Sequence, residues 1–414
     1  MNIGYYAHHH GSGHCQKAGR LATWLAQLGT DTGKGTPLTV MTSAKYAQKW
    51  LHDKPNINLI HLADEDPTSD DVYANQPDPT KPNFVHYNPV GNPDIQTRSC
   101  QILTAVQNAK LDVVIVDLSV EVATLCRVAS VPYLYVRLPG YRNDTPHLEA
   151  FRGAQALLAF FPPELENDTT RDWVKQKTIY LGFVLAGDSN DDLTVNDTAT
   201  ERQALKQQLN CPSDKLLISV ISGYGGNRAL TEAVSKMQQR LLKDKDNLHW
   251  AWLGAPPDDH IDSPKPTLDW QGEVNNVAPF MAFSDWVISA TGMTTVAEMQ
   301  RFPEVRWTVV AEPRHFDEQA DTASQLIAGG YAMNVEQTIE ALFNLQNWVK
   351  SSSILPDLPR PVLSSDHCTD AVAFFRAMAT TSSVRKWVQD MLPSFIHQTA
   401  VKPTANNPTT AKQP

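Results

Sequence analysis

A histidine and two glycines stand where an apolar run gives way to helical spacing. Gly11-Ser12-Gly13-His14 follows the strand-like residues 3–7. The glycines let the backbone approach a ligand closely, and a helix start offers amides and a positive dipole end, which suit a phosphate. His14 would then act as a general base or as a donor to a phosphate oxygen. A plain tight turn with a surface histidine explains the motif equally well.

Two neighbouring features bear on His14. The run His8-His9-His10 is expected to pack near the strand end rather than to bind a metal, because successive residues of a strand point to opposite faces. Asp117 ends the apolar run of residues 112–117. It is a candidate base or a carboxylate partner that orients His14, although an N-cap for the following helix is slightly favoured.

Residues 289–298 repeat the order of strand, glycine turn and helix start in the second half of the chain. In Gly292-Met293-Thr294-Thr295, the threonines offer hydroxyl and amide hydrogens to a pyrophosphate. Glu298 lies one helical turn after Thr294 and can accept hydrogen bonds from both hydroxyls of a ribose. The alternative is an ordinary threonine N-cap with an acidic first turn.

Two further turns follow strand-like runs in the same half. Asp317 and Gln319 stand at a helix start and are candidates for hydrogen bonds to sugar hydroxyls, with an ordinary acidic helix start as the alternative. Gly223 and Gly226 belong to a flexible turn after residues 215–222, which by itself is a weak signal of ligand binding.

These motifs fall at strand ends in two successive series of alternating strands and helices. Such alternation predicts an α/β fold of two doubly wound, Rossmann-like domains facing a cleft, with ligands beyond the carboxyl ends of the strands. We expect a long loop at residues 64–98 and a strand at residues 331–335. The predicted parts are an N-terminal acceptor-side domain (1–186), a linker (187–200), a C-terminal donor-binding domain (201–365), C-terminal helices (366–398) and a disordered tail (399–414).

Composition narrows the class of protein. The chain has 414 residues, enough for two or three domains, and its net charge of −10 argues against a non-specific nucleic-acid binder. Its five cysteines are widely spaced and never form a Cys-x-x-Cys pair, which fits a reducing compartment. The sequence has neither an apolar run that could span a membrane nor a signal-peptide pattern, so we expect a cytoplasmic protein.

Taken in order, the motifs resemble those of the MurG-like family 28 glycosyltransferases of GT-B fold. The shared features are Gly-x-Gly-His after the first strand, then Gly-x-Thr-Thr-x-x-Glu, then Asp-x-Gln. The resemblance is best at residues 1–28 and 268–335, and it implies a uridine diphosphate-sugar as donor. The turn at 223–226 lacks the family's Ser-Gln pair and Ala320 replaces a second glutamine, so the donor sugar stays open.

Carried over residue by residue, the resemblance implies how the donor would be held. Glu298 would hold the ribose, and the backbone near Val274 would meet the base. The sugar would contact Gln319 and Asp317. The pyrophosphate would contact Gly13, His14, Thr294 and Thr295.

The implied reaction is transfer of the sugar to a hydroxyl acceptor, whose proton would go to His14 or Asp117. No metal or cofactor is expected, because helix starts and threonine hydroxyls would meet the charge of the leaving diphosphate. Recognition of the acceptor is expected at residues 64–98 and 139–147. A lipid-linked or cell-envelope acceptor and a peripheral membrane contact are compatible with the chain. A nucleotide-sugar hydrolase or epimerase and a non-catalytic sensor are the alternatives.

Overall fold

The computed structural model describes most of the chain. The predicted Gly11 and Ser12, most of the predicted linker and the tail 399–414 lie outside the described residues. The described residues are 1–9, 13–30, 37–45, 47–52, 54, 56–64, 83–89, 91–184, 198–223, 226–241, 247–274, 276–349, 360–363 and 368–398.

The first half folds around a parallel sheet of seven strands in the order β3-β2-β1-β4-β5-β6-β7. Every residue of six of these strands is buried, and β3, at the edge, is the exception. Such near-continuous apolar runs are typical of a sheet covered on both faces. The strands are β1 (Ile3–Tyr6), β2 (Leu38–Thr42), β3 (Ile57–His61), β4 (Val113–Asp117), β5 (Tyr133–Arg137), β6 (Ala156–Ala159) and β7 (Thr178–Tyr180).

Helices cover both faces of this sheet. Tyr5 of β1 packs with α1 in one apolar cluster, whereas its neighbour Tyr6 packs with α3 and α4 in another. This alternation follows from the two-residue period of a strand. The helices are α1 (Gly13–Thr30), α2 (Ala47–Leu51), α3 (Pro93–Asn108), α4 (Val120–Val128), α5 (Thr145–Gly153) and α6 (Asp172–Lys177).

The second half repeats the arrangement with a five-stranded parallel sheet in the order β10-β9-β8-β11-β12. The prediction of two doubly wound α/β domains is therefore confirmed. The strands are β8 (Leu216–Ile221), β9 (Leu248–Leu253), β10 (Asp269–Gly272), β11 (Trp286–Ala290) and β12 (Arg306–Val310). The helices are α7 (Thr198–Gln208), α8 (Arg228–Arg240), α9 (Ala278–Phe283), α10 (Met293–Met299), α11 (Glu318–Ala328) and α12 (Val335–Val349).

The last helices return to the first domain. They are α13 (Ala371–Thr380), α14 (Val384–Lys386) and α15 (Leu392–Gln398), with a π-helical turn between the last two. Phe375 of α13 meets Trp24 of α1 edge to face at 5.3 Å, and the amino group of Met1 donates to the Ala379 carbonyl at 3.0 Å. Among the described residues, no helix is both long and apolar enough to cross a lipid bilayer.

Two expectations from the sequence differ from the structure. Residues 331–335 are not a strand, since only Met333 bridges to β12 before α12 begins. The end of the expected loop at 64–98 is helical, because the Asn92 side chain accepts from two amides of the first turn and Pro93 follows it as the start of α3. Residues 65–82 of that loop lie outside the described residues.

Candidate functional site

The predicted motifs gather where the strand order of each sheet reverses. In the first sheet this point lies between β1 and β4, and in the second between β8 and β11. Ligands of open α/β sheets bind at such points. The two points face each other, since a Cβ atom placed on Gly13 of α1 would lie 3.5 Å from Oγ1 of Thr294 in α10.

His14 and Asp117 form a hydrogen-bonded pair in this cleft. Nδ1 of His14 lies 2.8 Å from Oδ2 of Asp117, which is fully buried at the end of β4. Tyr5 donates to the same oxygen at 2.7 Å, and Nζ of Lys17 lies 3.2 Å from both carboxylate oxygens. The parallel pairing of β1 with β4 brings these residues together, and the carboxylate fixes the imidazole ring.

Asp117 is held as an anion. Burial alone would raise the pKa of this carboxyl, but the charges of His14 and Lys17 and hydrogen bonds from His14 and Tyr5 outweigh it and hold the pKa well below its usual range. The favoured interpretation of Asp117 as an N-cap is wrong. Ser119 caps α4 instead, because the chain turns at Leu118 with a φ of 71° before the helix starts.

His8 and His9 lie next to this pair. Their rings stack with centroids 4.6 Å apart, and the His8 ring lies 5.7 Å from that of His14. The expectation that neighbouring histidines point to opposite faces fails, because β1 ends at Tyr6 and the alternation of a strand ends with it. His10 lies outside the described residues.

On the opposite side of the cleft, Glu298 is more buried than the sequence suggests. Glu298 is 7% exposed. Its Oε1 lies 2.9 Å from Nη2 of Arg20, and its Oε2 lies 2.9 Å from Nη1 of Arg301. The alternative of a threonine N-cap with an acidic first turn is wrong. Gly292 stands at the N-cap without a side-chain bond, and Glu298 lies in the last turn of the short helix α10. Met293, Thr294 and Thr295 are half-buried in its first turn.

Where the chain passes from β12 into α11, the side chain of Gln319 is buried and that of Asp317 is exposed to solvent. Gln319 is buried, and its Oε1 accepts from the Glu312 amide at 3.0 Å, which leaves Nε2 as the group that can donate to a sugar hydroxyl. Asp317 is exposed and stands at the N-cap of α11 with its backbone in the left-handed conformation. Its side chain makes no capping hydrogen bond to the helix. Glu312 accepts from the Ala229 and Leu230 amides, so a carboxylate of the protein already occupies the start of α8.

The remaining predicted contacts lie along the other strand ends of the second domain. A Cβ atom placed on Gly223, Gly226 or Gly292 would have no neighbour within 4 Å, so the backbone there faces open space. Val274 is half-buried and packs against the apolar cluster under α7 and α9. The described candidates of the second domain thus lie beyond the carboxyl ends of its strands, and Gly13, His14 and Asp117 lie on the first domain.

A second polar cluster, which the sequence did not predict, joins the two domains. His86 and His147 contact the two oxygens of Asp144 at 2.6 and 2.5 Å. The ring of Phe316, from the second domain, stands edge to face on His147 at 4.6 Å and lies 5.1 Å from the Arg142 guanidinium. Contacts between distant parts of the chain leave no periodic signal in a sequence, which indicates residues 139–147 only as an expected site of acceptor recognition.

The three side chains of this cluster could approach one ion, since their ligand atoms lie within 4.8 Å of one another. Burial lowers the pKa of His147 to about 4, so its ring is neutral at pH 7. Nη1 of Arg142 lies 3.2 Å from its Nε2, which fixes the ring proton on Nδ1, facing Asp144. A metal on Nδ1 would force that proton towards Arg142, so the arrangement favours a hydrogen-bonded junction between domains.

Comparison with known proteins supports the architecture. No protein family matches the chain, and no curated protein is detectably similar to it in sequence. Similar solved structures include the glycotransferase of kitacinnamycin, with 12% identity, a TM-score of 0.53 and coverage of 85% of this chain and 90% of that one. UGT2 of Phytolacca americana, complexed with UDP-2-fluoro-glucose and pterostilbene, has 13% identity, a TM-score of 0.52 and coverage of 84% and 90%.

A UDP-glucose:anthocyanidin 3-O-glucosyltransferase in complex with UDP has 11% identity, a TM-score of 0.50 and coverage of 96% of this chain and 98% of that one. At such identities the likeness establishes the fold alone. The chain has the GT-B architecture, with two doubly wound domains facing a cleft. The narrower resemblance to the MurG-like family 28 stays a prediction.

Proposed function

We propose that this chain is a glycosyltransferase that moves a sugar from a nucleotide diphosphate-sugar, with uridine as the expected nucleoside, to a hydroxyl acceptor. The observation that carries the proposal is the His14–Asp117 pair, 2.8 Å apart at the switch point of the first sheet and on the side of the cleft that faces Thr294. An imidazole oriented by a buried carboxylate suits removal of a proton from a hydroxyl group.

The proton and electron movements follow from this pair. His14 donates from Nδ1 to Asp117, so the lone pair of Nε2 receives the proton of the acceptor hydroxyl. The acceptor oxygen forms a bond to the anomeric carbon, and the bond from that carbon to the diphosphate oxygen breaks with its electrons going to the diphosphate. Asp117 keeps its charge and stabilises the imidazolium.

The donor would be held mainly by the second domain, and the charge of the leaving diphosphate would be met by hydroxyl and backbone groups rather than by a metal ion. Glu298 supports this assignment because its buried carboxylate lies one turn from Thr294 on α10. Val274 is the proposed contact for the base, Glu298 for the ribose, and Asp317 and Gln319 for the sugar. The proposed contacts around the phosphates are Gly11, Ser12, Gly13, Gly223, Gly226, Gly292, Met293, Thr294 and Thr295.

The acceptor would enter from the first domain. His86, Asp144 at the N-cap of α5 and His147 in its first turn meet the Phe316 loop, which supports residues 139–147 as part of acceptor recognition. A lipid-linked or cell-envelope acceptor remains compatible with this side of the cleft. We propose a cytoplasmic location, because the five cysteines are widely spaced and never form a Cys-x-x-Cys pair, a pattern that fits a reducing compartment.

Two measurements test the proposal. A panel of nucleotide sugars is first screened for thermal stabilisation, since a ligand at 100 times its dissociation constant adds about 2.7 kcal/mol to the free energy of unfolding. Release of nucleoside diphosphate is then measured with and without hydroxyl acceptors. Acceptor-dependent release supports transfer, release without an acceptor indicates a hydrolase, and binding without turnover indicates a sensor.

A further inference from the structure

Three basic side chains of α1 point towards carboxylates at the cleft. His14, Lys17 and Arg20 recur every three residues, which places them along one face of the helix. His14 and Lys17 contact Asp117 in their own domain, whereas Arg20 contacts Glu298 in the other domain. One helix therefore carries both the proposed base and a charged link to the proposed ribose contact.

Glu298 lies between guanidinium groups from the two domains. Arg20 reaches Oε1 from the first domain and Arg301 reaches Oε2 from the second, each at 2.9 Å. The side chains of Arg20 and Glu298 are only 18% and 10% exposed. Removing one partner of such a shielded pair is costly, because the other charge is left with less compensation away from water.

We propose that Arg20 is a positioning residue that couples ribose binding at Glu298 to the placement of His14. The proposal rests on the proposed function, because it takes Glu298 as the ribose contact. A carboxylate has about four lone-pair sites, so Glu298 can accept from ribose hydroxyls while it keeps both arginines. Arg20 lies six residues after His14 on α1, a separation of about 9 Å along the helix axis.

A helix of this length transmits position as a rigid body. When Arg20 holds Glu298, the base on α1 is fixed relative to a ribose bound on α10. Without Arg20, the two domains lose a direct link beside the reacting groups, and His14 shifts relative to the donor. Misplacement of a catalytic group by about 1 Å can cost about 100-fold in rate.

The chain offers a matched control, because Arg301 contacts the same carboxylate at the same distance without crossing between domains. Arg20→Met is expected to lower kcat about 10- to 100-fold, with a smaller change in the KM for the donor. Arg301→Met is expected to change the donor KM more than kcat. Arg20→Lys keeps the charge and should recover part of kcat, which also covers the case in which Arg20→Met fails to fold.

A double-mutant cycle tests the link itself. If Arg20 acts through Glu298, the effect of Arg20→Met on kcat should largely vanish in a Glu298→Gln background. The proposal is overturned if Arg20→Met and Arg301→Met lower kcat alike, if Arg20→Met changes donor affinity alone, or if the effects of Arg20→Met and Glu298→Gln are additive.

A readout without catalysis separates this proposal from the proposed function. The Tyr141 amide donates to the Phe316 carbonyl across the domains at 2.8 Å, so its hydrogen exchange reports their separation. Arg20→Met should speed this exchange by about 5-fold or more, and Arg301→Met should not. Absence of sugar transfer by the wild type would contradict the proposed function. Independently of that result, equal exchange rates of the Tyr141 amide in Arg20→Met and Arg301→Met would overturn the role of Arg20.

Discussion

The fully buried carboxylate of Asp117 has three hydrogen-bonding partners. Tyr5, His14 and Lys17 come from β1 and α1, and together they stabilise a charge that burial opposes. A group whose pKa is lowered on folding stabilises the protein above its ordinary pKa near 3.8 and loses that contribution as the pH falls. Asp117 therefore supports both the fold and the orientation of His14.

Asp117→Asn should lower kcat by about 100- to 10,000-fold, because the amide cannot stabilise an imidazolium and does not fix the ring in one tautomer. Donor affinity should change little. The measurement is steady-state transfer with a donor titration for each variant. Asp112→Asn, one residue before the start of the same strand, is the control and should keep kcat, since Asp112 accepts from the Asn2 amide at the far end of β1. Normal kcat in Asp117→Asn would remove this pair from the mechanism.

At the scale of elements, the loop after β12 is strained where it meets the first domain. Phe316 and Asp317 have φ values of 62° and 52°, a left-handed conformation that is costly for side chains other than glycine. Opposite them, a Cβ atom on Gly140 would lie 2.6 Å from the Phe316 carbonyl, so this position requires glycine. The contacts of Phe316 with His86, His147 and Arg142 hold the strained turn in place.

The buried His147 gives this junction a pH dependence. Burial lowers its pKa from 6.5 to about 4, so unfolding takes up a proton in that window. The contribution of His147 to the free energy of unfolding should be fully present above pH 6.5. It should fall as the pH drops towards 4, by up to about 1.4 kcal/mol per pH unit. Chemical denaturation between pH 7 and 4 measures the slope. His147→Asn should flatten it, and an unchanged slope would mean that His147 is already protonated in the folded protein.

The sequence predicted the elements better than it predicted their partners. Near-continuous apolar runs such as Val113–Asp117 mark buried parallel strands, so two doubly wound sheets could be inferred. The sequence offers Asp117 as a candidate partner of His14, but this contact spans 103 residues and depends on the pairing of β1 with β4, which the strand pattern does not specify. The His86, Asp144 and His147 cluster could not be inferred, since it depends on how the loop that carries His86 meets the start of α5, and loops have no periodic pattern.

At the scale of the whole molecule, the ends of the described chain complete the first domain. Trp387 is fully buried and packs at 5.8 Å against Phe374, in the same apolar cluster as Ile3 and Tyr5. The helices that follow the second domain in sequence thus cover the sheet that carries His14. The described chain passes from the first domain to the second and back again, which ties the two halves of the cleft together.

Trp387→Ala should destabilise the first domain by about 3–5 kcal/mol, because it leaves a large cavity in that core. Hydrogen exchange should lose protection in β1 and α1 and keep it in β8 and β11. Trp252→Ala is the matched control, since Trp252 is fully buried in an apolar cluster of second-domain residues and should show the opposite pattern. Loss of protection in the second domain alone after Trp387→Ala would contradict the assignment of these helices.

The most direct test of the central proposal is the kinetic comparison of His14→Ala with the wild type. Initial rates of acceptor-dependent sugar transfer and the donor dissociation constant are measured for both, with His8→Ala as a control whose ring lies 5.7 Å from that of His14. We expect kcat to fall by about 100- to 10,000-fold in His14→Ala with nearly unchanged donor affinity, and to change little in His8→Ala. Full activity in His14→Ala, or a loss confined to donor binding, would contradict the role of His14 as the base.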